Sequence, residues 1–371
     1  MNWNRFLMQF MVFFSIYLGS TLLRVDFERR QLKTPNFIIK VYVIFECLSF
    51  VIYIPYTVLF TIQQVQVYVT NPVAKYANLL TLVMRLVIMY VYTLTLPRRD
   101  REIRQWFESI LNIQSSYFDR LRDLPKNTGH RKWLYVNGCL TFVHLTTVVV
   151  DIQRSVFRRQ YQKAIQLYPL LGMLGVQHLF MLQHASLLCY LRECLSQIHY
   201  QMLANYQDPK LSLIYSQLRQ KIMQLNEIYS PSILCILLCL IISNSMVGYA
   251  IFMIFLVPRL NIHRYDYLFG DSFYLCVLLH MYLYFMICEW VMTSLKETQS
   301  ILYEHINSGS EEVEEEIKKV SLSCCIYTAE INIFGMVPIN LRALFSIIAQ
   351  TVLYTTFLIQ TEMENYRIKA N

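Results

Sequence analysis

The chain has 371 residues, 55% of them apolar and only 16% charged, and its formal net charge is +8. Soluble domains carry about 25% charged residues, so a soluble globular domain is excluded. No arginine-rich tract, zinc-finger spacing or aromatic-basic motif accompanies the positive charge, which sets nucleic acid aside as a partner.

The apolar run Phe6 to Leu23 comes first. Arg5 precedes it as in a secretory signal, yet the run is rich in aromatics and Met and lacks a small-residue cleavage pattern. It reads as a helix lying in or against the inner leaflet, within an interfacial N-terminal segment, residues 1–36. Seven blocks long enough to cross a bilayer follow. They are Phe37 to Phe60, Lys75 to Leu96, Leu134 to Val150, Leu167 to Leu191, Ile233 to Val257, Ser272 to Met292 and Leu341 to Thr361. Tyr76, Trp133, Tyr168 and Trp290 stand near block ends, as interfacial aromatics do.

The predicted fold is therefore all-α, a polytopic bundle of seven transmembrane helices. With a cytoplasmic N-terminus, the inside segments hold 21 Lys and Arg and the outside segments 9. The positive-inside rule then places the C-terminus outside, although 151–166 carries Arg154, Arg158, Arg159 and Lys163 on the outer side. Inside loops are long and helical in character. One amphipathic stretch lies within 192–230, and another runs from the acidic cluster at Glu311 to Ile333. None of the ten cysteines falls in an external loop, so no disulfide framework is expected, and Cys235 with Cys239 reads as packing.

Catalytic signatures are absent: there is no His-Glu-x-x-His, no Gly-x-Ser-x-Gly and no phosphate-cradling glycine loop, so an enzyme is not expected. No metal or cofactor is expected either. Charges inside a bilayer are costly, and two stand out. Counting from the inner ends at 1.5 Å per residue, Glu46 lies roughly 12 Å deep and Arg85 roughly 16 Å deep. The match suggests an interhelical ion pair, either structural or in contact with a ligand or ion. In the outer half, His144, Gln177, Tyr249 and His280 fall at similar depth. With Phe252 and Tyr274 they are candidates to line an outward-opening pocket, the alternative being ordinary interhelical hydrogen bonding. In the last block, Tyr354, Phe357, Leu358 and Thr361 recur at helical spacing and form one stripe, a packing face or a pore wall.

That last block ends Leu353-Tyr354, five residues, then Gln360-Thr361. It resembles the Thr-Tyr, five apolar residues, Gln-Phe ending of the insect gustatory receptors, within the insect chemoreceptor superfamily. Tyr and Gln keep the spacing; both flanking residues differ. Ala329 to Phe345, the early Tyr17-Leu18-Gly19 and the span spacing are also similar to that family, over essentially the whole chain. The resemblance implies a gustatory receptor of the plasma membrane of taste neurons: a ligand-gated, nonselective cation channel responding to a small-molecule tastant. It would assemble as a homo- or hetero-tetramer with other gustatory subunits. Residues 37–292 would form the ligand-binding bundle, 293–340 an intracellular anchor, 341–361 the pore helix and 362–371 an external tail. Motif alignment puts Phe357 and Thr361 at the gate, with Tyr354 and Gln360 beside them. The rivals are a G-protein-coupled receptor, whose acidic-Arg-Tyr and Asn-Pro-x-x-Tyr motifs are missing, and a transporter, for which no matched broken helices are seen.

Overall fold

The computed structural model describes residues 12–13, 15–17, 21, 24–26, 31–33, 36–68, 72–118, 131–204, 210–256, 264–304, 314–315, 318–322 and 330–370, with side chains over most of that range but not at 264–275 or 365–370. Seven long helices dominate: α1 (Phe37–Tyr68), α2 (Pro72–Ser116), α3 (Arg131–Phe157), α4 (Tyr161–Ala204), α5 (Lys210–Leu256), α6 (Arg264–Glu304) and α7 (Leu341–Ala370). Two small antiparallel hairpins accompany them, β1 (Arg24–Asp26) with β2 (Gln31–Lys33) and β3 (Asn332–Ile333) with β4 (Val337–Pro338). The result is a helical membrane bundle.

The apolar blocks are parts of longer helices. At 45 residues, α2 runs well past the roughly 20 needed to cross hydrocarbon. Its two halves, Lys75–Val91 and Leu94–Ser116, meet at 53°. Pro97 explains the bend, since a proline ring clashes with the carbonyl four residues earlier and removes a helical hydrogen bond. Among the described residues, α3, α5, α6 and α7 are each apolar enough to span, and the bent α2 makes a fifth. The other two, α1 and α4, carry the blocks at 37–60 and 167–191.

At the centre stands α4, which packs against α1, α2, α3, α5 and α6. Leu179, Leu182, Leu188, Leu191, Leu195 and Ile198 are fully buried along it and continue into Leu218, Ile222 and Leu225 of α5. One core therefore runs from the membrane into the intracellular extensions. Polar ties fasten those extensions: Trp106 Nε1 donates to the Lys221 carbonyl at 2.8 Å, and the Tyr190 hydroxyl to Gln114 Oε1 at 2.6 Å. Between α3 and α4, Arg159 takes a left-handed φ of 58°. The bonds Gln160 N to Ser155 O and Arg159 N to Val156 O end α3 as a Schellman turn and reverse the chain in three residues.

The N-terminal segment departs from its expected place on the inner leaflet. Ser15 is fully buried and receives a hydrogen bond from Gln183 of α4, and the Tyr42 hydroxyl of α1 donates to the Tyr17 carbonyl at 2.9 Å. The described part of the segment packs into the bundle, because Ser15 offers a partner that lipid cannot. Much of the amphipathic stretch read from Glu311 to Ile333 lies outside the described residues, and its last two, Asn332 and Ile333, form β3 of the β3–β4 hairpin.

Candidate ligand and pore sites

The depth-matched ion pair does not form. Glu46, 5% exposed, accepts a hydrogen bond from the Tyr168 hydroxyl of α4. Arg85 instead turns to α5, where Nη2 donates to Ser243 Oγ at 3.2 Å. Tyr168 is the second residue of the 167–191 block, so Glu46 sits near the outer end of α4. Counting both helices from a common inner plane misplaced α1 along its axis.

The proposed pocket residues divide into separate environments. His144 of α3, His178 of α4 and His280 of α6 come together, with ring centroids 4.3 Å and 4.6 Å apart. His178 is not among the sequence candidates; its neighbours come from α3 and α6, which spacing within α4 does not reveal. Gln177 points to α5, its Nε2 lying 3.8 Å from Cys239 Sγ. Phe252 is half-buried, and the Tyr274 side chain lies outside the described residues. No group of three His, Cys, Asp or Glu among the described residues has an arrangement suited to a metal ion.

Tyr249 belongs elsewhere. It is 2% exposed, and its hydroxyl donates at 3.1 Å to Oε2 of Glu362, a carboxylate of α7 that is itself 2% exposed. This contact crowns the α5–α7 seam. Below it, Thr355 Oγ1 donates to the Ser245 carbonyl at 3.3 Å. A Cβ added to Gly248 would lie 3.0 Å from Thr355 Oγ1, so the glycine permits the close approach of the two helices.

The approach to α7 is held firmly. Phe334 and Gly335 take left-handed φ of 51° and 72° in a turn closed by Met336 N donating to Ile333 O at 2.9 Å, within the three residues that connect the paired Ile333 and Val337. Asn226 Nδ2 of α5 donates to the Asn332 carbonyl at 2.6 Å, and Ile331, Ile333 and Ile339 are buried beneath the turn. Asn340 then caps α7, its Oδ1 accepting from Ala343 N at 2.8 Å.

Only 17% of the apolar stretch of α7 is buried, against 61% for α6. The buried face is Leu344, Thr351, Leu358 and Glu362, packed chiefly on α5. Leu358 thus leaves the expected stripe for the seam, and Thr361 is half-buried at its edge, its hydroxyl donating to the Leu358 carbonyl. Tyr354 (51%) and Phe357 (53%) are exposed, as is Gln360. Opposite the buried face, Ser346, Gln350, Leu353, Phe357, Gln360 and Glu364 follow steps of four, three, four, three and four, all exposed. Of these, only Phe357 and Gln360 stand out from the end of the helix as a motif.

The 7tm Chemosensory receptor family matches residues 8–365 of the chain. No curated protein sequence matches. The fold is similar to the olfactory receptor OR5 of Machilis hrabei in complex with eugenol, with a TM-score of 0.66 at 12% identity over 96% of this chain and 99% of that one. It is also similar to a second structure of OR5 from Machilis hrabei, with a TM-score of 0.64 at 13% identity over 96% of this chain and 98% of that one. These likenesses establish a seven-helix receptor fold, and with the family match they place the protein among receptors rather than enzymes. The chain belongs to the 7tm chemosensory receptor family.

Proposed function

We propose that the chain is a gustatory-type subunit of a tastant-gated, nonselective cation channel, assembled as a tetramer around α7 in the plasma membrane of taste neurons. The observation that carries this reading is the composition of the α7 face turned away from its own bundle. A face against lipid should be apolar, because polar groups in hydrocarbon are costly. Here Ser346, Gln350, Gln360 and Glu364 share that face with Leu353 and Phe357. Four copies around an axis would place two apolar rings, Leu353 and Phe357, between wet ones, and an apolar ring blocks ions by dewetting when narrow. Phe357 supplies the bulkier constriction, and Thr361 contributes from the edge.

The tastant would enter among the outer halves of α2 to α6, with His144, Gln177, Phe252, Tyr274 and His280 as contact candidates. Tyr249 acts at the seam between that bundle and α7. A ligand shifts gating only by its differential affinity for the two states, and the α5–α7 seam is the shortest route by which a change in the bundle reaches the pore helix. The test is whole-cell recording in cells expressing the chain, alone and with co-receptors, across a tastant panel. A cation current evoked by at least one tastant, with raised basal current in Phe357→Ala, is expected. Well-expressed protein that gives no current with any tastant refutes the channel reading.

A further inference from the structure

One cavity lies away from both sites. It has a volume of about 200 Å³ between the intracellular ends of α4 and α6, lined by Arg192, Ser196, His199, Tyr200, Ser294, Glu297 and Thr298. That is smaller than the roughly 300–1,000 Å³ of a drug-sized site, and it suits a compact polar group. On α4 the lining residues Arg192, Ser196, His199 and Tyr200 fall at steps of four, three and one, so one helix face supplies them.

Depth and charge narrow the occupant. Arg192 directly follows the apolar block 167–191, and Trp290 lies near the end of 272–292. The mouth of the cavity therefore stands at headgroup level. The Arg192 guanidinium lies over the Trp290 ring at 5.3 Å, and its Nε donates to Ser294 Oγ at 3.1 Å. This fixes the plane of the guanidinium. Among the described residues no hydrogen bond or ion pair engages its two terminal nitrogens, nor the Glu297 carboxylate, although both residues line the same cavity. The pocket thus presents one oriented cation and one carboxylate that attract each other without a direct ion pair, and hydroxyls from Ser196, Tyr200 and Thr298 stand around it. A lone anion would face Glu297 and a lone cation would face Arg192. A zwitterion satisfies both.

We infer that this cavity binds a phosphate ester carrying a primary ammonium, the headgroup chemistry of an ethanolamine phospholipid, with the phosphate on Arg192 and the ammonium on Glu297. A planar guanidinium matches phosphate oxygens with paired N–H bonds, and a carboxylate accepts N–H bonds that a quaternary choline lacks. On the orientation read from charge, the site faces the cytoplasmic leaflet. Its occupant would tie α4 to α6 beneath the ligand-binding bundle.

The test uses the full-length protein in nanodiscs, with lipid retention read by native mass spectrometry. The comparison is phosphatidylethanolamine against phosphatidylcholine and phosphatidylglycerol, with soluble phosphoethanolamine titrated separately. Preferential retention of the ethanolamine lipid is expected, with at least a tenfold loss in both Arg192→Gln and Glu297→Gln. Glu297 is exposed, so its substitution leaves the fold intact and keeps the test informative should Arg192→Gln destabilise the protein. Lipid retention without binding of soluble phosphoethanolamine assigns the source to the bilayer, and soluble binding alone assigns it to the cytosol; both support the cradle. Equal retention of phosphatidylglycerol, or unchanged binding in Glu297→Gln, overturns it.

Discussion

Tyr249 and Glu362 show how one residue contact changes a functional reading. Glu362 is a carboxylate at membrane depth, and its burial is tolerable because Tyr249 donates to it. Hydrogen bonds to charged groups are worth about 1.5–3 kcal/mol, and each 1.4 kcal/mol is a factor of ten in an equilibrium. Tyr249→Phe and Glu362→Gln should each loosen the outer end of α7 and shift the tastant concentration–response toward easier opening, by about tenfold. The double variant should add little to either single one. Additive shifts would show that the two residues act apart. At the hairpin, Phe334 occupies a left-handed conformation that costs a non-glycine residue about 1–3 kcal/mol, and it is half exposed. Phe334→Asn, which tolerates that region, should stabilise the detergent-solubilised protein by about 1 kcal/mol. The measurement is thermal unfolding, and an unchanged midpoint would mean that the turn carries no strain.

At the scale of elements, the α5–α7 seam sets how closely α7 and the bundle approach. Gly248→Ala places a methyl 3.0 Å from Thr355 Oγ1 and 3.1 Å from its Cγ2. Since α7 must then shift or Thr355 must turn, tastant sensitivity should change, and Thr355→Ala in the same chain should restore it by clearing the space. Rescue is the discriminating readout, because simple damage to α5 would persist in the double variant. The seven blocks were legible in the sequence because hydrocarbon thickness imposes a length and excludes charge. Their partners were not. Depth counting put Glu46 beside Arg85, whereas Glu46 meets Tyr168 and Arg85 meets Ser243, because helix offset and facing depend on which helices are neighbours. Depth did group His144 with His280, but not His178 between them, because the three come from three helices and share no spacing along the chain.

For the whole molecule, the position of α7 is the decisive feature. Five helices pack around α4, and the seventh, α7, lies against α5 and α6 by one face with most of its apolar stretch uncovered. The Tyr354 to Gln360 spacing drew attention to the end of α7 in the sequence, but it did not reveal the full exposed stripe. The stripe needed the buried face of α7 to be known before Ser346, Gln350, Leu353 and Glu364 could be recognised as its opposite. The central claim is that this stripe lines the ion path, and substituted-cysteine accessibility tests it most directly. Cysteine is placed in turn at Gln350, Leu353, Phe357 and Gln360, and at Phe345, Ile348 and Val352 on the flank. A water-soluble thiol reagent should block the tastant-evoked current at the first set and spare it at the second. Block at the flank positions with none at Leu353, Phe357 or Gln360 would contradict the account.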